Sequence, residues 1–166
     1  MTARFVTARD EILKLRAEDA DDLAVIAACL QDAVVLRRDM TYRPKERRFA
    51  AVLNRFRWEK ENADATAPRP VRARRGERIR TGLHFDHVGA VKTRHLENDG
   101  TVALELLTID ARPDPAGGAE ITLVFAGGGE IRLAAECIDC SLDDLTEPWS
   151  ARARPAHPID ESGAKD

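Results

Sequence analysis

The chain has 166 residues, 33 % of them charged and 43 % hydrophobic, the proportions of a soluble globular domain that builds its own core without disulfides or a structural metal. No stretch approaches the roughly 20 apolar residues that cross a bilayer, and Met1 to Val6 lacks the apolar run of a signal peptide, so a cytoplasmic protein with no membrane partner is expected. The formal net charge of -3 conceals a division: residues 1–36 carry 4 basic and 7 acidic groups, residues 37–94 carry 17 and 7, and residues 95–166 carry 5 and 15.

In chain order, residues 1–9 read as a flexible tail, and Glu11 to Arg16 alternates as a short strand with Leu13 and Leu15 on one face. A helix follows over Asp19 to Gln31. Its first turn is acidic, which suits the positive end of the helix dipole, and Leu23, Ile26, Ala27 and Leu30 form a stripe at i, i+3, i+4, i+7. Ala33 to Leu36 is a β-branched run. Met40 to Pro44 leads through Lys45-Glu46-Arg47 into a long strand, Arg48 to Trp58, and the pair predicts a hairpin. Residues 60–76 have two prolines and no apolar period, the pattern of an exposed Arg/Pro-rich loop within the domain.

Four further strands are expected, over Ile79–Lys92, Thr101–Ala111, Glu120–Ala126 and Glu130–Ile138, separated by turn-forming stretches such as Gly127-Gly128-Gly129. Ser141-Leu142-Asp143-Asp144 has the spacing of a helix start with Ser141 as N-cap, ending before Pro148. Residues 150–166 read as a second tail, leaving a single globular domain over 10–149. The fold class is therefore α+β: a mostly antiparallel sheet of six to eight strands, twisted or partly closed into a barrel of pleckstrin-homology-like form, with one main helix and a short C-terminal helix. The apolar segment Ile121 to Phe125 must be central or covered, since an exposed edge of this kind aggregates. A homodimer partner is one way to cover it.

Three cysteines form an odd, sparse set that indicates reduced thiols. His84-Phe85-Asp86-His87 and Cys137-Ile138-Asp139-Cys140 together hold the ligand types of a zinc site. Regular strand geometry sends His84 and His87 to opposite faces, so the spacing argues against one shared metal, and no cofactor is expected. Nucleophilic chemistry has little support: Ser141 is explained as a cap, and Glu136 and Asp139 flank Cys137 with the wrong charge for a thiolate. The triple glycine precedes an alternating strand, which makes it a hairpin turn and not a phosphate cradle.

The basic centre is the most informative feature. Lys45, Arg47, Arg48, Arg55, Arg57, Arg74 and Arg75 are candidate binding residues, interleaved with Tyr42, Phe49, Phe56 and Trp58. Guanidinium groups and aromatics suit single-stranded RNA. The competing expectation places Val52, Phe56 and Trp58 in the core and Arg55 and Arg57 on the solvated side, with the positive charge answered by the acidic third or by an acidic protein surface.

Leu13 to Val34, Tyr42 to Glu59 (Y-R-P-K-E-R-R-F-A-A-V-L-N-R-F-R-W-E), Gly82 to Asp86 (G-L-H-F-D) and Phe125 to Ile138 (F-A-G-G-G-E-I-R-L-A-A-E-C-I), closing on Pro148-Trp149, resemble an uncharacterised bacterial domain-of-unknown-function family. The resemblance implies a compact cytosolic bacterial protein and brings no catalytic residues with it. His87 and Cys140 lie outside the family pattern. Within the matched blocks, Lys45 to Arg48 and His84 with Asp86 are the polar positions of interest. The expected function is a non-enzymatic binding or adaptor protein using the basic hairpin and loop. An RNA-binding accessory protein and a small enzyme or metal-binding protein using His84 are the alternatives.

Overall fold

A computed structural model describes residues 12–59, 76–152 and 155. The expectations placed on residues 1–9, on the Arg/Pro-rich stretch 60–75 with Arg74 and Arg75, and on most of the C-terminal tail lie outside the described residues.

Strand β1 (Lys14–Ala17) turns Leu15 and Ala17 inward and exposes Lys14 and Arg16. Helix α1 (Ala20–Cys29) starts where Asp19, still extended, accepts a hydrogen bond of 2.8 Å from the Asp22 backbone N–H. The helix stops short of the expected Gln31 because Leu30 closes the last turn and Asp32 takes a left-handed φ of 63°. Leu23, Ile26 and Leu30 enter the core as their spacing predicts. Strands β2 (Val34–Leu36), β3 (Met40–Arg43) and β4 (Arg48–Phe56) follow, the first two separated by one 3-10 turn at Arg37–Asp39.

The expected strand Ile79–Lys92 is two strands, β5 (Glu77–Phe85) and β6 (Val88–Arg94). They are broken at Asp86-His87, where His87 has φ 60° and the chain passes from one half of the sheet to the other. Strands β7 (Ala103–Pro113), β8 (Ala119–Phe125) and β9 (Glu130–Ala135) complete the expected meander. The sequence predicts a helix start at Ser141, but Cys140–Asp144 is strand β10. Its side chains alternate, with Leu142 buried, and it pairs with β1 on one edge and β5 on the other. Two ladders outweigh a local cap preference, which is worth only about 1 kcal/mol. A two-residue β11 (Trp149–Ser150) pairs with Arg78 and Glu77 of β5.

The strands join in one sheet in the order β1-β10-β5-β4-β2-β7-β8-β9-β6, with β11 added to β5 and β3 to β4. The path ends at β1 and β6, so the sheet is strongly antiparallel but open, and the closed, pleckstrin-homology-like form is not reached. Among the described residues eleven strands replace the expected six to eight, because one strand divides, the C-terminal helix is a strand, and the short β11 is added to β5. Phe49, Leu53, Leu83, Phe85 and Leu142 of the first half pack with Ile121, Leu123, Phe125, Ile131 and Leu133 of the second, and α1 completes the core. Ile121 to Phe125 lies in β8, central between β7 and β9, as its composition demands. No helix among the described residues is long and apolar enough to cross a membrane.

Candidate binding surface

The β3–β4 hairpin presents Arg43, Lys45, Glu46, Arg47 and Arg48, all exposed, at one corner of the sheet. The turn is held closely. The Arg47 N–H donates to the Pro44 carbonyl at 3.2 Å, Arg47 adopts φ 53°, and its carbonyl accepts from Val88 N–H at 2.9 Å. The Tyr42 hydroxyl donates to the Val88 carbonyl at 2.8 Å. The hairpin tip is thereby anchored on the bend between β5 and β6. That bend is tied in turn to the end of β9 and the start of β10, by Asp86 N–H to the Asp139 carbonyl (2.9 Å) and Glu136 N–H to the His87 carbonyl (3.0 Å).

Side chains from five segments meet over this scaffold. Arg48 grips Asp86 with two hydrogen bonds, Nε to Oδ1 at 2.7 Å and Nη2 to Oδ2 at 3.2 Å. Arg47 Nη1 donates to Glu136 Oε1 at 2.7 Å, and Arg43 Nη1 to Glu46 Oε1 at 3.3 Å. Asp139 receives Arg16 Nη2 at 3.3 Å and lies 3.3 Å from His87 Nε2. His84 Nε2 stands 3.6 Å from Asp86 Oδ2, beyond a hydrogen bond, while the same carboxylate is engaged by Arg48. Lys45 at the tip has no side-chain partner among the described residues. His84, Asp86, Arg47 and Arg48 are therefore brought together, and Lys45 stands beside them.

The hydrogen bonds from Arg48 hold the Asp86 carboxyl below the ordinary carboxylate range, and Asp86 in turn raises Arg48. A carboxyl lowered on folding adds stability above its unfolded pKa of roughly 4, and this is lost as pH falls through the folded value. Asp86→Asn is therefore expected to flatten the fall in Tm below about pH 4 relative to the parent, by less than about 1 kcal/mol because solvent screens the pair. An unchanged acid limb in a Tm-against-pH series would contradict this role for Asp86.

Arg55 and Arg57 are elsewhere, and the expectation that they face solvent is overturned. They are 0 % and 2 % exposed. On β4 the inward parity is Phe49, Ala51, Leu53 and Arg55, not that of Val52, and at the strand end Arg55, Phe56 and Arg57 are buried consecutively. Arg55 binds Asp144 through Nε–Oδ1 (2.8 Å) and Nη2–Oδ2 (2.6 Å), and Glu59 through Nη1–Oε2 (3.0 Å) and Nη2–Oε1 (2.9 Å). Burial works against its charge, but the hydrogen bonds to Asp144 and Glu59 prevail and raise its pKa. Asp144 Oδ2 also accepts from Leu13 N–H at 2.8 Å, and Arg57 pairs with Glu77. The network thus fastens Glu59, at the end of one described segment, and Glu77, near the start of the next, to the two buried arginines. Nothing local in the sequence marks Asp144, 89 residues from Arg55, as its partner.

The aromatics interleaved with the basic residues also point inward. Phe49 and Phe56 are 2 % and 0 % exposed, and Trp58 packs edge-on against Phe56 and donates from Nε1 to the Gln31 carbonyl at 2.9 Å. Cys140 faces the core opposite Phe85, where burial pushes its thiol upward, whereas His84 lies on the outer face. The two pairs weighed for zinc thus diverge, and among the described residues no group of His, Cys, Asp and Glu is placed to hold a metal.

The fold and this corner define an α+β protein with an open antiparallel sheet and an anchored, mixed-charge hairpin corner. The chain belongs to the family described as "Protein of unknown function (DUF2948)", whose family model matches residues 13–157. Neither curated proteins nor solved structures yielded a match to the chain.

Proposed function

We propose that the protein is a non-enzymatic binding or adaptor module whose hairpin corner docks on an acidic protein surface. The carrying observation is the anchored tip itself, which displays Lys45 without a partner among the described residues and Arg43, Arg47 and Arg48 each alongside one carboxylate. Alternating charges on a rigid backbone favour a folded partner of complementary pattern. The aromatic side chains of this corner give bases little to stack on, since Phe49 is buried in the core and Tyr42 is packed half-buried against it with its hydroxyl bonded to the Val88 carbonyl. The position of His84 supports a binding role over an acid–base one, because Asp86 orients Arg48 and not the imidazole.

The test is a titration of the full chain with a polyglutamate peptide and, separately, with oligouridine, each at low and moderate salt. Binding of the peptide that weakens about tenfold in the Lys45→Glu, Arg47→Glu double variant is expected, equivalent to about 1.4 kcal/mol. Tighter, steeply salt-dependent binding of oligouridine would replace this reading with a nucleic-acid one. Binding of neither probe would overturn it.

A further inference from the structure

We propose that the cleft between α1 and β7 receives an extended, cationic peptide segment that adds to the free edge of β7 as a strand in line with β2. This surface is separate from the hairpin corner. β2 covers β7 only where Val34–Leu36 pairs with Ala103–Glu105. The last main-chain bonds along this edge are Leu106 N–H to the Ala33 carbonyl and Asp32 N–H to the Leu106 carbonyl, both 2.8 Å. β7 then continues to Pro113 with β8 on its other side. Past the irregularity at Leu107, where the register with β8 shifts, the other edge of β7 from Thr108 to Arg112 has no strand beside it among the described residues, and its main-chain groups repeat at the spacing an extended chain matches.

The neighbour on that side is α1, which departs from β7 at the Asp32 turn and leaves a groove of about 430 Å³. One wall is Ala24, Ala27, Ala28 and Gln31, and the other is Leu107 to Asp110. Alanines on the helical wall leave room for a backbone to approach. Ala24 to Gln31 spans ~10 Å along a helix and Leu107 to Asp110 ~10 Å along a strand, so the two walls match over about three extended residues. Leu107, one of the four exposed large apolar side chains among the described residues, is part of the strand wall.

The charge of the occupant follows from the walls. Asp110 lies in the groove with no side-chain partner among the described residues, and Asp21 stands on the same helical stripe as Ala24 and Ala28. No basic side chain lines the groove, and the cation at the end of α1, Arg78, is engaged by the Asp32 and Asn54 carbonyls. A lysine or arginine in the incoming segment supplies what is missing. A single extended segment fits where the sheet edge of a second copy does not, because the strands behind such an edge would run into α1.

The experiment selects a display library of random linear peptides on the full chain and measures binding of the enriched peptides by fluorescence anisotropy. Enrichment of basic, β-branched sequences is expected. Their affinity should fall at least tenfold in Ala28→Trp, which fills the groove from an exposed position, and in Asp110→Lys, which reverses its charge. Arg48→Glu at the hairpin corner should leave it unchanged, while amide exchange slows over Leu107 to Arg112. No enrichment, or enriched peptides that bind both groove variants as they bind the parent, would overturn the proposal. A light-scattering mass of twice the chain that Ala28→Trp halves would assign the cleft to a second copy instead.

Discussion

Replacing Arg55 with methionine is expected to cost about 3–5 kcal/mol, among the largest losses any single substitution would cause in this protein. The parent side chain places its guanidinium, fully buried, between the carboxylates of Asp144 and Glu59 with four hydrogen bonds. Methionine occupies a similar volume but leaves Asp144, itself buried, with only Leu13 N–H, and sets two carboxylates near each other without the cation that separates them. In a chain of this size each kcal/mol moves Tm by roughly 2–4 °C, so a fall of more than about 6 °C should be visible by calorimetry. Adding Asp144→Leu should recover part of the loss, because removing both charges is cheaper than stranding one. A single variant as stable as the parent would show that the network is not structural.

Gly118→Val is the second large effect, at about 2–4 kcal/mol. Gly118 closes the β7–β8 turn, accepting from Asp114 N–H at 3.1 Å, and holds φ at 85°. A β-carbon there would overlap the Ala135 carbonyl of the neighbouring β9, which is backbone and cannot swing aside. Gly117, one residue earlier at φ 98°, has nothing within 4 Å of the same construction, so Gly117→Asn should cost no more than about 1 kcal/mol. Chemical denaturation of the two variants separates backbone strain from steric overlap. Equal stabilities would mean that the close approach of β9 is not a constraint.

The candidate surface was partly legible before any coordinates. Arg48 and Asp86 fall in separate matched blocks 38 residues apart, and the hairpin that carries Arg48 is marked by turn-forming residues, whereas the Asp86-His87 bend that meets it lies inside a stretch that reads as one continuous strand. Arg55 and Arg57 misled because β4 is apolar at both parities: Phe49, Ala51 and Leu53 alternate with Ala50, Val52 and Phe56, and composition alone does not say which row lies inside. The Ser141 cap pattern misled for a related reason. A local preference worth about 1 kcal/mol was set against two β ladders formed by residues far away in sequence.

By itself, the sequence determined the elements whose signals are local: the acidic start and apolar stripe of α1, the β3–β4 hairpin, and the glycine-punctuated meander with Ile121 to Phe125 at its centre. The division of charge into a basic centre and an acidic final third was equally plain. Only the tertiary structure decided how those charges are spent. It sinks Arg55 between Asp144 and Glu59, pairs Arg47 with Glu136, and leaves Lys45 facing solvent. Those choices depend on which strands become neighbours, and that is set by burial of the two sheet faces against each other across long sequence separations, not by any preference of the charged residues themselves.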